Sequence, residues 1–136
     1  MTSANLELQG AILTRLKAVS AVTTLIGQRI YDAVPATPSF PYVSFGPSDE
    51  ISDDSDCIAA DDIAIQIDAW SRATGFPEVK NIAAAVRAAL REYEFTLSAN
   101  AFVSLQHRQT RIFRDPDGLT SHAAMEFRAI VEIPNT

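Results

Sequence analysis

The most regular pattern of hydrophobic and polar positions lies near the C-terminus, over residues 123–133. Apolar residues alternate there with polar ones, which is the period of a β-strand that buries one face. A second strand-like run, beginning at Ala101, precedes it. The two runs flank Asp115–Gly118, whose proline presets φ and whose glycine accepts the left-handed conformation of a tight turn. The pattern predicts a long β-hairpin over 101–133 onto which the other elements pack.

Two further segments carry a clear period. Asp62–Trp70 alternates apolar and polar positions and is predicted to be a central strand. Pro77–Tyr93 repeats its apolar residues every three or four positions, and it begins with a proline, as helices often do. The predicted core combines the apolar faces of these segments with that of the hairpin: Ile63, Ile65, Ile67, Val86, Leu90, Phe127 and Val131.

The N-terminal half has a weaker pattern. Residues 5–19 are predicted to form an amphipathic helix, capped by Ser3 or Asn5, with an apolar stripe of Leu6, Ile12, Leu13 and Leu16. The remaining predictions are a helical turn at 21–26 ending at Gly27, an extended segment at 29–32, a strand at 41–46 and a polar loop at 47–60. The predicted fold is therefore α+β, in one domain spanning 1–136. It has a mostly antiparallel sheet with a long C-terminal β-hairpin, and helices packed on one face.

Composition narrows the class of protein. The chain has 136 residues, a net charge of −6 and a single cysteine, Cys57, so an intramolecular disulfide and a cysteine-based zinc site are excluded. The N-terminal segment resembles neither a signal peptide nor a membrane span, so we expect synthesis inside the cell. Residues 1–70 hold ten acidic and three basic side chains, whereas 71–136 hold seven acidic and eight basic ones. An acidic chain does not suit groove binding of duplex DNA.

Seven carboxylates crowd into the predicted loop and the start of the next strand. They do not follow the spacing of an EF-hand, so a solvated loop is favoured over a metal site, and an electrostatic working surface is the remaining alternative. Cys57 lies among these acids, which disfavour the thiolate and therefore a nucleophilic role. The acidic residues are Asp49, Glu50, Asp53, Asp54, Asp56, Asp61 and Asp62.

The hairpin carries the other candidate chemistry. His107 and His122 lie one in each arm, where they could approach each other as two metal ligands, with Glu126 nearby. Surface positions on strands are favoured, because a metal site needs further convergent ligands. Four arginines make the hairpin basic and suit salt bridges to the acidic loop of a neighbouring subunit: Arg108, Arg111, Arg114 and Arg128. We expect no catalytic residues, no metal and no cofactor.

Several short segments, taken in order, resemble a known family. They are Arg29–Asp32, Phe40–Gly46, Ile65–Arg72 with its DAWSR ending, the helix Ile82–Leu90, and FRDPDGLTSH at Phe113–His122. Together they resemble the phage tail-completion proteins, also called head–tail joining or tail terminator proteins, including those of gene-transfer particles. The similarity runs from the N-terminal helix to about Glu132.

This resemblance implies a structural protein of the neck or tail of a virion or phage-like particle, assembled in the bacterial cytoplasm. It implies a homo-oligomeric ring, commonly hexameric, that ends polymerisation of the tail tube and joins the tail to the head-side connector or stopper protein. DNA would only pass through, and no membrane is involved. The acidic residues and Arg111, Arg114 and Arg128 would lie between subunits or face the channel. The alternative is a small metal-dependent enzyme on an α+β scaffold.

Overall fold

The computed structural model describes residues 1–55 and 57–134. The fold is α+β, as predicted, with helices and a five-stranded sheet. In chain order the elements are α1 Ala4–Ala18, α2 Ser20–Ile26, β1 Ile30–Tyr31, β2 Tyr42–Ser52, β3 Ala59–Ser71, α3 Pro77–Leu90, β4 Ala101–Arg114 and β5 Ser121–Ile133.

The predicted hairpin is formed by β4 and β5, and it supplies one edge of the sheet. The strand order is β1-β2-β3-β5-β4, with β1 parallel to β2 and all other neighbours antiparallel. The strongly alternating β5 is therefore an interior strand, paired along its whole length with β3. The turn forms as expected: the Gly118 amide donates to the Asp115 carbonyl at 2.9 Å, and Gly118 adopts a φ of 70°. β2 and β4 are the long strands at the two edges.

The helices pack on one face of the sheet. All seven predicted core residues are buried, and the apolar face of α3 meets alternate residues of β3 and β5. Ser3 caps α1 through its side chain, whereas the predicted stripe of that helix is partly wrong. Leu6 is 67% exposed, and the buried row is Ala4, Leu8, Ile12 and Leu16, at a strict spacing of four. This row faces the core because it lines up three large aliphatic side chains, Leu8, Ile12 and Leu16, along the helix.

Glu7 joins α1 to the segment that leads into β4. Its carboxylate accepts hydrogen bonds from the Ser98 hydroxyl at 2.8 Å and from the backbone amides of Ala99 and Asn100 at 2.9 and 3.0 Å. Burial raises the pKa of Glu7, but these hydrogen bonds to the ionised form outweigh burial and hold the pKa below its usual value. Glu7 thus connects the first turns of α1 to the start of the hairpin.

The prediction of a polar loop over 47–60 is wrong. β2 continues through Ser52 and β3 begins at Ala59, so the connection covers 53–58, in which Asp56 lies outside the described residues. A bulge between Phe45 and Ser48 accommodates Gly46 and Pro47 without ending the strand. The stretch has no apolar alternation because no helix covers it, and antiparallel pairing with β3 makes it a strand instead.

Candidate interaction surfaces

Six of the seven acidic residues predicted in a loop belong to a β-hairpin over 47–55 and 57–62, which we call the acidic arm; the seventh, Asp56, lies outside the described residues. Asp49 and Glu50 are exposed on β2, while Asp61 and Asp62 lie on β3 and are partly buried. The side chain of Asp54 accepts a hydrogen bond from the Ala60 amide at 3.1 Å and so helps close the turn. The arm therefore presents carboxylates in fixed positions along a sheet edge.

The arm concentrates negative charge. The pKa of Asp61 is raised, first by burial and then by the nearby carboxylates of Glu50 and Asp54, which disfavour its ionised form. Two large apolar side chains are also exposed here, Ile51 at 61% and Ile58 at 47%. Over residues 1–55 and 57–134, no three His, Cys, Asp or Glu side chains converge as a metal site would require.

Asp62 and Arg128 differ from the other candidate contact residues because they bind each other. Both project from the face of the sheet opposite the helices, and Arg128 Nε donates to Asp62 Oδ1 at 3.2 Å while Nη2 contacts Oδ2. The side chain of Arg128 is 35% exposed and that of Asp62 is 24% exposed. This pair crosses from β3 to β5, so both charges are balanced within the subunit.

The other hairpin arginines lie along β4. Arg111 pairs with Ala124 on the helix-free face, while Arg114 pairs with Ser121 on the helix face. Their guanidinium groups lie over aromatic rings, Arg111 at 5.4 Å from Phe113 and Arg114 over Phe76 at 4.6 Å. Arg108 occupies a bulge of the strand and is exposed. Among the residues that the structure describes, these three arginines form no ion pair with a carboxylate. Their positive charge is directed to solvent.

The two histidines do not meet, so the metal-ligand pair considered from the sequence is ruled out. His107 pairs with Phe127 and His122 with Phe113, which places them at different levels of the hairpin. The cause is the register of the hairpin. The two histidines would lie opposite each other only if the turn were centred midway between them, whereas the turn at Asp115–Gly118 lies closer to His122.

His122 belongs to a buried polar cluster that the sequence reasoning missed. Its Nε2 lies 2.7 Å from Asp68 Oδ1, and its ring stacks on Trp70 with a centroid distance of 3.7 Å. Gln66 donates to the same Asp68 oxygen at 2.8 Å, and Trp70 Nε1 donates to Ser44 Oγ at 2.9 Å. The side chains of His122 and Asp68 are only 12% and 6% exposed. This cluster ties β2, β3 and β5 together.

A cavity of about 550 Å³ lies between the end of α3 and β4. Its one histidine, His107, has a pKa lowered first by burial and then by the charge of Arg87, and Nε2 lies 2.6 Å from Thr110 Oγ1. The cavity is lined chiefly by the ends of these two elements and by Phe127.

No helix among residues 1–55 and 57–134 has both the length and the apolar character needed to cross a membrane. The surfaces that remain as candidates are therefore the acidic arm at one edge of the sheet and the arginines of β4 at the other. Sequence signals for both were present, namely the acidic run and the arginines, but their placement on opposite edges required the strand order.

Comparisons with known proteins give one family match and two solved structures of similar fold. The family profile "Tail completion protein gp17" matches residues 10–132. A chain from the virion of a native gene transfer agent particle superposes with a TM-score of 0.89 at 31% sequence identity, covering 97% of this chain and 99% of that one. The gp17 protein of bacteriophage SPP1 superposes with a TM-score of 0.64 at 21% identity, over 98% and 92% of the two chains, and so supports the fold. No curated protein sequence matches the chain.

The family match covers most of the chain and includes the segments that carried the resemblance, from the extended run at 29–32 to the turn of the hairpin. A match of this extent supports a structural role in the tail or neck of a particle. The chain belongs to the tail completion protein gp17 family.

Proposed function

We propose that this protein forms a homo-oligomeric ring, a hexamer, at the head-proximal end of a phage or phage-like tail tube. There it ends polymerisation of the tube protein and joins the tail to the head-side connector or stopper protein. The observation that carries the proposal is the match, along nearly the full length of both chains, to a chain of a gene transfer agent virion at 31% identity. DNA passes through such a ring as cargo.

The protein acts as one domain spanning residues 1–136, and it acts by binding rather than by catalysis. The family profile that matches residues 10–132 is that of tail completion proteins, which supports a structural role. A structural role needs complementary surfaces instead, because a cyclic ring requires two different patches on each subunit.

The acidic arm and the arginines of β4 are the proposed patches. Asp49, Glu50, Asp53, Asp54 and Asp61, together with Asp56, would meet Arg111 and Arg114 of a neighbouring subunit or face the channel. Asp62 and Arg128 already pair within the subunit, so they would take part as a pair. Each exposed contact contributes about 0–1 kcal/mol. We therefore expect a ring on assembled tails, and a monomer or a weak ring in free solution.

Electron microscopy of particles tests this function. A deletion of the gene should leave unjoined heads and tails, with tubes of uncontrolled length, and a plasmid-borne copy should restore joined particles. Normal joined particles in the deletion strain would refute the tail-completion role. Protein purified without chelator provides the second check: one tightly bound zinc or manganese per chain would overturn the non-enzymatic function.

A further inference from the structure

The sheet has two long edges with free backbone groups. On the outer side of β2, β1 pairs only with Val43 and Ser44, so within the described part of the chain Ser48–Ser52 has no strand beside it. At the other end of the strand order, β4 pairs with β5 alone. Residues 47–52 are exposed along their entire length. Each edge is thus a template that a further strand could extend.

The two edges carry opposite charge. β2 contains Asp49 and Glu50 and no basic residue, whereas β4 contains Arg108, Arg111 and Arg114 and no acidic one. Over residues 1–55 and 57–134, none of these five side chains forms an ion pair. Charged edge residues commonly protect a sheet from self-association. Protection of that kind works between edges of like charge, whereas an acidic edge and a basic edge attract each other.

Strand direction allows the two edges to join. β2 is antiparallel to β3, β3 to β5, and β5 to β4, so β2 and β4 run in opposite directions. Repeating the subunit beside itself without reversing it therefore places β4 of one copy antiparallel to β2 of the next. Contacts of this type, in which different surfaces meet, are the ones that close a ring.

The register within one subunit also indicates which residues would meet. One transverse row of the sheet runs Ile51–Asp62–Ile130–Ser104, and the next runs Asp49–Ala64–Arg128–Gln106. Without stagger between copies, Ile51 of one copy lies level with Ser104 of its neighbour, and Asp49 lies close to the bulged Arg108. The exposed side chains of Ile51 and of Val103, at 61% and 52%, would both gain cover at this junction.

We propose that neighbouring copies of this chain join edge to edge, with Ser48–Ser52 of one copy adding as an antiparallel strand to β4 of the next. The inference rests on the proposed ring and specifies how the ring closes. Backbone hydrogen bonds would contribute affinity, and the opposite charges would set direction and register, as in β-strand addition generally. The partner is a second copy of the chain.

Cysteine cross-linking of tail-bound protein tests this junction. In a Cys57→Ser background, Ile51→Cys is combined with Ser104→Cys, which lies level with it, or with Gln106→Cys, two residues further along β4. All three positions lie on the helix-free face of the sheet. Mild oxidation should yield a ladder of disulfide-linked oligomers for at least one pair. The matched control combines Ile51→Cys with Glu126→Cys, on the same face but on the interior strand β5, and should yield none. A ladder from the control pair alone would overturn the proposal.

Charge exchange supplies an independent readout. Asp49→Lys with Glu50→Lys should weaken ring formation by about tenfold or more, because like charges would then face each other. Adding Arg108→Glu, at the arginine nearest to Asp49 in this register, should restore the ring. Rings seen on tails that neither cross-link nor respond to these reversals overturn edge pairing while leaving the ring intact. Tails that are joined without any ring of this protein overturn both this inference and the proposed function.

Discussion

Val86 offers the sharpest test of how the helix layer meets the sheet. It lies in the third turn of α3, is fully buried, and belongs to the cluster formed with β3 and β5. Replacing it by aspartate puts a carboxylate into a cluster of apolar side chains. Two residues further along the same helix, Ala88 is exposed, so Ala88→Asp introduces the same side chain in the same element without burying it.

The cost of Val86→Asp follows from two contributions. Burial of a valine side chain is worth about 1.5–3 kcal/mol, which the substitution removes. A buried polar group without a partner costs about 1–3 kcal/mol more. The expected loss is therefore about 2.5–6 kcal/mol, a large share of the roughly 5–15 kcal/mol that stabilises a typical domain. Ala88→Asp should cost less than about 1 kcal/mol, chiefly from its lower helix propensity.

Urea denaturation followed by tryptophan fluorescence measures both variants. The chain has a single tryptophan, Trp70, which stacks on His122 and so reports on the packed sheet. The expected result is a much lower midpoint for Val86→Asp at similar slope, and a small shift for Ala88→Asp. The loss should shrink in acid, since burial favours the neutral carboxyl. Equal stability of the two variants would refute the assigned buried face of α3.

Three further predictions concern single positions. Gly46→Ala should lower the free energy of unfolding by about 1–3 kcal/mol, since the new Cβ would lie 2.6 Å from Asp68 Oδ2. Gly10→Ala, where the new Cβ would have nothing within 4 Å, should instead stabilise α1 by about 0.5–1 kcal/mol. Equal effects of the two substitutions in a denaturation experiment would contradict the crowding argument. Asp61→Asn should raise the Tm at pH 7, because burial and then the nearby acids raise the pKa of Asp61 and so disfavour its ionised form. A raised folded-state pKa gives stability that is present in acid and lost as the pH rises through that pKa. The increase in Tm should therefore vanish in acid, where Asp61 is protonated. Glu7→Gln should lower the Tm at pH 7, because the pKa of this carboxyl is depressed in the folded protein. The resulting stabilisation is present above the unfolded-state pKa and is lost as the pH falls through the folded-state pKa. A loss of Tm that is the same at all pH values would argue against a role for the ionised carboxylate.

The elements that sequence reasoning predicted well are those covered by the helix layer. β5 and most of β3 alternate because one face packs on apolar side chains, and α3 repeats at 3.6 because it packs back on them. Its end was placed too late, at Tyr93, whereas the helix stops at Leu90, the last residue whose side chain reaches the core. Periodicity reports burial, so it finds elements only where a buried face exists.

The acidic arm shows the converse case. Residues 48–52 form a strand with every side chain exposed, so the stretch contains no alternation to read. The pairing of Asp62 with Arg128 and the burial of Asp68 likewise depend on which residues of β3 and β5 lie side by side. A shift of register by one residue would move each of these side chains to the other face of the sheet. Such partners follow from the turn and bulge positions, which a local pattern does not specify.

Folding and assembly therefore depend on different parts of the sheet, and they can be separated by substitution. The helix-covered part holds the large buried side chains, whereas the β2 strand of the acidic arm carries the exposed charges of Asp49 and Glu50, whose removal leaves no cavity. Asp49→Lys should change the free energy of unfolding by no more than about 0.5 kcal/mol, as is usual for an exposed site. The same substitution should reduce the number of joined particles. Val86→Ala, a change in the core, should instead lower the midpoint of unfolding. It should leave joining intact at temperatures where the variant remains folded. If Asp49→Lys destabilises the fold as much as Val86→Ala does, the arm is part of the folding core and its charges are not reserved for a partner.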